Sequence, residues 1–188
     1  DQVWTDEIGN VYGRIYGRER NLPALVLNTH LDHVDPGDPA FGTPSKPIGP
    51  VYDEHEARSL ADQRGWRIAP DGTGWRRVVA SPKPQRILEI DVIELLVRNG
   101  VIVICAGGGG IPIADRGDGT LAGVEAVIDK DFASALLARA LEADALLMLT
   151  DVDGAYCDWG KPDAQLIRRA GPAALEAHSF EDRKSTRL

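Results

Sequence analysis

One part of this chain combines residue types that do chemistry. A run of four glycines, Gly107 to Gly110, follows the β-branched run Val101-Ile102-Val103-Ile104-Cys105, and Ile128-Asp129-Lys130-Asp131 comes further along. Only glycine lets a backbone turn sharply after a strand and press its N–H groups onto an anion, so the pairing points to phosphate chemistry. A phosphoryl-transfer site also needs cations to screen charge and a carboxylate to orient them or a metal, and Lys130 and Asp131 are of those types. Each has a plainer alternative. Asp131 is well suited to cap a helix over Phe132-Ala133-Ser134, and Lys130 sits between two carboxylates with which it could form a surface ion pair of little energetic value. A second apolar run, Ala145 to Thr150, ends in Thr150-Asp151-Val152-Asp153-Gly154-Ala155-Tyr156, polar groups placed where open α/β sheets bind ligands.

These residues need a scaffold, and the pattern supplies one. From Pro84 onward the sequence predicts a helix (Ile87 to Asn99) stopped by Gly100, a strand (Val101 to Cys105), the glycine loop, a helix (Asp131 to Leu141) and a strand (Ala145 to Leu149). Such alternation produces parallel sheets. Upstream, Asp53 to Arg64 has helical spacing. Trp66 to Ala69 and Trp75 to Val79 flank Pro70-Asp71-Gly72-Thr73-Gly74, a turn sequence that predicts a hairpin. Nearer the start, Gly9 to Gly17 reads as a turn and a short strand and Ala24 to Asn28 as a second strand, expected to pair with it. Asp35 to Pro50, rich in proline and glycine, marks a change of character.

Composition narrows the function classes. At 188 residues and 43% hydrophobic, the chain can bury the core of one ordinary domain, with or without an appendage. A formal net charge of −8 disfavours a general nucleic-acid binder, which needs a clustered excess of Lys and Arg. Cys105 and Cys157 lack metal-type spacing and read as buried thiols of a reducing compartment. No apolar stretch approaches the roughly 20 residues of a membrane span, and Asp1-Gln2-Val3-Trp4-Thr5 is no signal peptide, so the expected location is the cytoplasm. The P-loop pattern, the protein-kinase catalytic loop and the dinucleotide fingerprint are absent from the sequence; Ile111-Pro112-Ile113 after the glycines is no helix start.

The chain resembles the carbamate kinases of the amino acid kinase superfamily. The motifs that carry the resemblance are Pro44-Ser45-Lys46-Pro47-Ile48-Gly49-Pro50, Gly74-Trp75-Arg76-Arg77-Val78-Val79, Cys105 to Pro112, Val127 to Asp131, and Leu149 to Asp153. The resemblance covers residues 39–180. It implies a three-layer αβα fold around a mainly parallel sheet, incomplete at both ends, with a small helix-plus-hairpin lid at about 53–81. It implies reversible phosphoryl transfer between ATP and carbamate with Mg²⁺, usually from carbamoyl phosphate and ADP toward ATP, and the family's homodimer. On matching positions, Lys46 resembles the lid-side lysine that reaches the transferred phosphoryl group, Lys130 the lysine near the nucleotide phosphates, and Asp131 the carboxylate that orients the lysines. Gly107, Gly108, Gly109 and Gly110 would line the phosphate and carbamate pocket. Thr150, Asp151, Val152 and Tyr156 would border the nucleotide; Trp159 is read as a packing residue.

The family's Gly-Gly-Asn loop and Gly-Pro-Lys segment are not among these residues, so the chain alone is expected to be catalytically silent or nearly so. Residues 181–188 carry no core pattern and read as non-native. Residues 1–38 form a different puzzle. Asp6 to Arg14 and Leu27 to Asp38 resemble the zinc-dependent aminoacylase and carboxypeptidase family, in which a strand delivers a His-x-Asp pair. The resemblance implies that His30 binds Zn²⁺ and Asp32 orients it, strand alternation placing both on one face. The expectation is a chimera of the two families joined near Asp35 to Phe41, with a metallopeptidase remnant as the alternative function.

Overall fold

The computed structural model describes residues 2–5, 11–14, 25–27, 29–106, 108–149, 153–158 and 161–176. The chain opens with strands β1 (Gln2–Thr5), β2 (Val11–Arg14), β3 (Leu25–Leu27) and β4 (Leu31–Val34). An excursion follows, built from β5 (Lys46–Tyr52), α1 (Glu54–Arg64), β6 (Arg67–Asp71) and β7 (Gly74–Val79). The chain then returns through β8 (Pro84–Ile87), α2 (Ile90–Arg98), β9 (Ile102–Ile104), β10 (Ile111–Asp115), β11 (Leu121–Gly123) and α3 (Lys130–Ala140). Last come β12 (Ala155–Cys157), β13 (Gln165–Ile167) and the short α4 (Pro172–Glu176).

The sheet that carries the core has the order β11-β10-β4-β8. Strands β4 and β10 are parallel, whereas β10 with β11 and β4 with β8 are antiparallel, so the α/β fold is mixed in its strand directions. Strand alternation sends Asp32 and Val34 of β4 to the interior while Leu31 and His33 are only partly covered. Val34 joins Ala106, Ala114, Ile128 and Ala133 in the core, and Phe41, Val124 and Leu137 pack on its edge. Small Ala133, fully buried, lets α3 come close to the sheet.

The excursion is local in its logic. Asp53 accepts the Glu56 N–H at 2.8 Å and so caps α1, Glu54 and Glu56 face its positive end, and Gly65 ends it at a left-handed φ of 66°. Strands β6 and β7 form the predicted hairpin around Gly72, and β5 adds to β7.

Three expectations change. The described parts of the two segments expected to pair, residues 11–14 and 25–27, do not pair with each other: β2 joins β1, and β3 lies parallel to β9, whose Ile102-Val103-Ile104 offers the matching β-branched partner. The start of the predicted helix at Ile87 belongs instead to β8, because residues 84–87 complete the sheet beside β4, and α2 begins at Ile90. Residues 145–149 form no strand; a strand exists through its ladder, none of the described strands runs beside them, and Leu147 and Leu149 are exposed. Among the described residues, no helix is long and apolar enough to cross a membrane.

Candidate active site

Helix α3 sets the site. Asp129 caps it, accepting the Asp131 N–H at 3.0 Å, so the cap predicted for Asp131 falls two residues earlier. That leaves the Asp131 side chain in the first turn, where a carboxylate favours the positive end of the helix and its oxygens are free of capping duty. Asp129 has a second partner from far along the chain: Lys46 Nζ, on β5, donates to its Oδ2 at 2.8 Å. Burial alone would raise the Asp129 pKa, but the Lys46 hydrogen bond, the Asp131 and Phe132 N–H groups and the Lys46 charge outweigh it and hold the carboxyl below its ordinary value. The sequence placed Asp129 inside the right motif without assigning it a role. The signal was present, since Asp129 and Asp131 are both good caps and only the observed helix start chooses between them.

Lys46, Lys130 and Asp131 are thus brought to one place, the mouth of α3. Lys130 Nζ lies 3.5 Å from Asp131 Oδ1 and remains largely exposed, a loose pair that a stronger anion could replace. Lys130, Asp131 and Ser134 line a pocket of about 180 Å³ together with Cys105, Ala106 and residues 146–149. Cys105 is half-buried at the pocket wall, and that burial pushes its thiol up, favouring the protonated form.

The glycine run meets this pocket through Ala106. Gly109 has φ of 83° and its N–H donates to the Ala106 carbonyl at 3.1 Å; a Cβ there would overlap the Ile128 carbonyl, one residue before the cap of α3. Gly110 donates to Asp32 Oδ2 at 2.9 Å. Two of the glycine N–H groups expected to face an anion are therefore turned inward to protein acceptors, while Gly108 is exposed. Gly107, Thr150, Asp151, Val152 and Trp159 lie outside the described residues. Tyr156 is on β12, which pairs with β13.

His30 and Asp32 are buried, 1% and 0% exposed, with Nδ1 and Oδ1 2.7 Å apart. A carboxylate only accepts, so Nδ1 carries a proton toward Asp32, and buried Nε2 has no hydrogen-bond partner among the described residues. Imidazole and carboxylate are thus paired in the way expected for a ligand and its orienting group. Among the described residues, however, no group of three His, Cys, Asp or Glu side chains could hold a metal ion.

Residues 35–186 match the amino acid kinase family. The chain is 53% identical over 159 residues to a carbamate kinase of Haemophilus influenzae, covering 85% of this chain and 51% of that protein. It is 52% identical to a carbamate kinase of Rhizobium meliloti, over 93% of this chain and 52% of the relative. The alignment with the latter reaches upstream of residue 35. Among solved structures, it matches carbamate kinase from Giardia lamblia bound to AMP-PNP with a TM-score of 0.66 and 43% identity, over 79% of this chain and 47% of that one. A crystal structure from Aeropyrum pernix matches with a TM-score of 0.73 and 42% identity, over 84% of this chain and 51% of that one. The chain spans about half the length of the relatives it matches.

Proposed function

The chain belongs to the amino acid kinase family, and on that premise we propose that its site serves carbamate kinase-type phosphoryl transfer between carbamoyl phosphate and ADP. In that reaction an oxygen of the ADP β-phosphate attacks the phosphorus of carbamoyl phosphate, the bond from phosphorus to the carbamate oxygen breaks, and ATP and carbamate result. The observation that carries the reading is the meeting of Lys46 with Asp129 beside Lys130 and Asp131, which brings the first residue of the excursion to the mouth of α3. Lys130 would hold nucleotide phosphates in exchange for its loose contact with Asp131. Lys46 would reach the transferred group by exchanging Asp129 for it, and Asp129 and Asp131 would hold the two ammonium groups apart and aimed. Charge stabilisation of this kind supplies most of the catalysis in phosphoryl transfer.

Mg²⁺ would come with the nucleotide, held by phosphate oxygens and at most one or two carboxylates, of which Asp131 is the partly exposed candidate. It would neutralise charge on the phosphates. The identity to carbamate kinases supports nucleotide and carbamate as the small molecules; the cytoplasm as location and a homodimer as assembly are part of the same proposal.

Calorimetric titration of the 188-residue chain with Mg-ADP tests the reading. Binding is expected, weakened about tenfold or more in Lys130→Ala, with ATP formation from carbamoyl phosphate slight or absent in the same preparation. A chain that melts cooperatively and binds no Mg-ADP sinks it.

A peptidase-like zinc site is the second reading, favoured by the His30–Asp32 geometry and by a buried Nε2 that has no hydrogen-bond partner among the described residues. Against it, β4 is a central strand of the sheet that carries the kinase-like core, and Val34 is part of that core. The same position counts against a chimera whose first part stands separately. Zinc-dependent stabilisation abolished by His30→Ala would restore the peptidase reading.

A further inference from the structure

Burying a carboxylate and an imidazole is costly unless their hydrogen bonds are made, so what His30 and Asp32 bond to shows what their burial is for. Asp32 accepts from His30 Nδ1 on one oxygen and from the Gly110 N–H on the other, at 2.7 and 2.9 Å. The His30 carbonyl accepts the next amide, that of Ile111, at 2.8 Å. Two successive amides at the exit of the glycine loop are thus held by one strand end. Gly110 has no room for a side chain, because a Cβ would overlap the Asp32 carboxyl. Gly109 is fitted equally closely against Ile128, next to the cap of α3. Contact therefore runs without a break from His30 through Asp32, Gly110, Gly109 and Ile128 to Asp129, where Lys46 is bound.

We propose that Asp32 and His30 are positioning residues for the glycine loop. Asp32 fixes Gly110, His30 fixes the Asp32 carboxylate, and together they set the spacing between the loop and the mouth of α3. The consequence for ligand binding rests on the phosphate-binding reading of the site; the structural part does not.

Amide hydrogen exchange at Gly110 and Ile111 and Mg-ADP titration, both on the 188-residue chain, test this together. Asp32→Ala is expected to speed Gly110 exchange about tenfold or more and to weaken Mg-ADP binding by a similar factor. Asp32→Asn, whose amide oxygen can accept the same N–H, is expected to keep both within about threefold of wild type. A folded Asp32→Ala chain with Gly110 still protected and affinity unchanged overturns the proposal. So does an Asp32→Asn chain as impaired as the alanine variant. If Asp32→Ala does not fold, His30→Ala and His30→Asn carry the test. Faster Gly110 exchange in the first, relieved in the second by its side-chain donor, supports the proposal, and equal exchange in both overturns it. Wild-type protection at Gly110, lost in Asp32→Ala, with no Mg-ADP binding by either chain would support the positioning role and reject the phosphate site.

Discussion

The excursion from β5 to β7 and the centre from His30 to Gly110 are opposite kinds of structure. In the excursion the decisive contacts are near neighbours on an exposed surface: Asp53 with Glu56, and Arg58 with Glu54 at 2.6 Å. In the centre, Asp32 binds an amide 78 residues away and nothing in the pair is exposed beyond 1%. Local contacts set where elements begin and end, and each is worth little by itself. Distant, buried contacts set how the loops face one another, and each is hard to replace.

The comparison can be broken by substitution. The largest effect is expected at Gly109→Ala, which must both adopt a φ of 83° and overlap the Ile128 carbonyl. A loss of about 3 kcal/mol or more in urea unfolding is expected; a loss below about 1 kcal/mol would mean that the loop yields freely. Asp129→Ala comes next, at about 2 kcal/mol, because it removes a helix cap and the partner of a half-buried lysine.

Acid sharpens that second case. A carboxyl whose folded pKa lies below its unfolded value contributes stability above about pH 4, and the contribution is lost as pH falls through the folded value. The gap in urea midpoint between wild type and Asp129→Ala should therefore narrow on acidification below about pH 4, and a gap that widens would contradict the assigned charge state. In the excursion, Asp53→Ala is expected to cost about 1 kcal/mol, read from the same melts. Arg58→Ala, which loses an exposed ion pair and a stacking contact over Trp75, should cost about 0.5 kcal/mol.

Legibility from sequence follows the same division. Helix α1 and the β6–β7 turn were readable because the residues that decide them lie within a few positions; the Asp53 cap was equally local but was not singled out. The β-branched run at Val101 was also readable as a strand, but its partner was not: nothing local says that Ile102 aligns with Leu25. Residues 145–149 have a strand's composition and no ladder beside them, since apolar runs report burial potential and not the neighbour that realises it. Lys46, Lys130 and Asp131 were named from the family resemblance, and the structure adds that Asp129 joins two of the elements carrying them. His30 and Asp32, expected on one face of a strand, are hydrogen-bonded to each other, with His30 just ahead of β4. The hydrogen bond from Gly110 could not be read, because strand alternation tells which way a side chain points and not what it meets there.

Among the described residues, the root of the excursion is fastened to the body by Lys46 on Asp129, Arg67 on the Gly42 carbonyl at 2.8 Å, the Val127 N–H on the Ala80 carbonyl at 3.0 Å, and Arg77 on Glu125. Mechanically these points are a fulcrum. A lever pivoted there would sweep its widest arc at its tip, the turn around Gly72, while its root barely translated. A molecule gripped at the tip would therefore tilt the Lys46 ammonium rather than carry it away, so the reach of the arm and the aim of its charge are set by different ends of the same piece of chain.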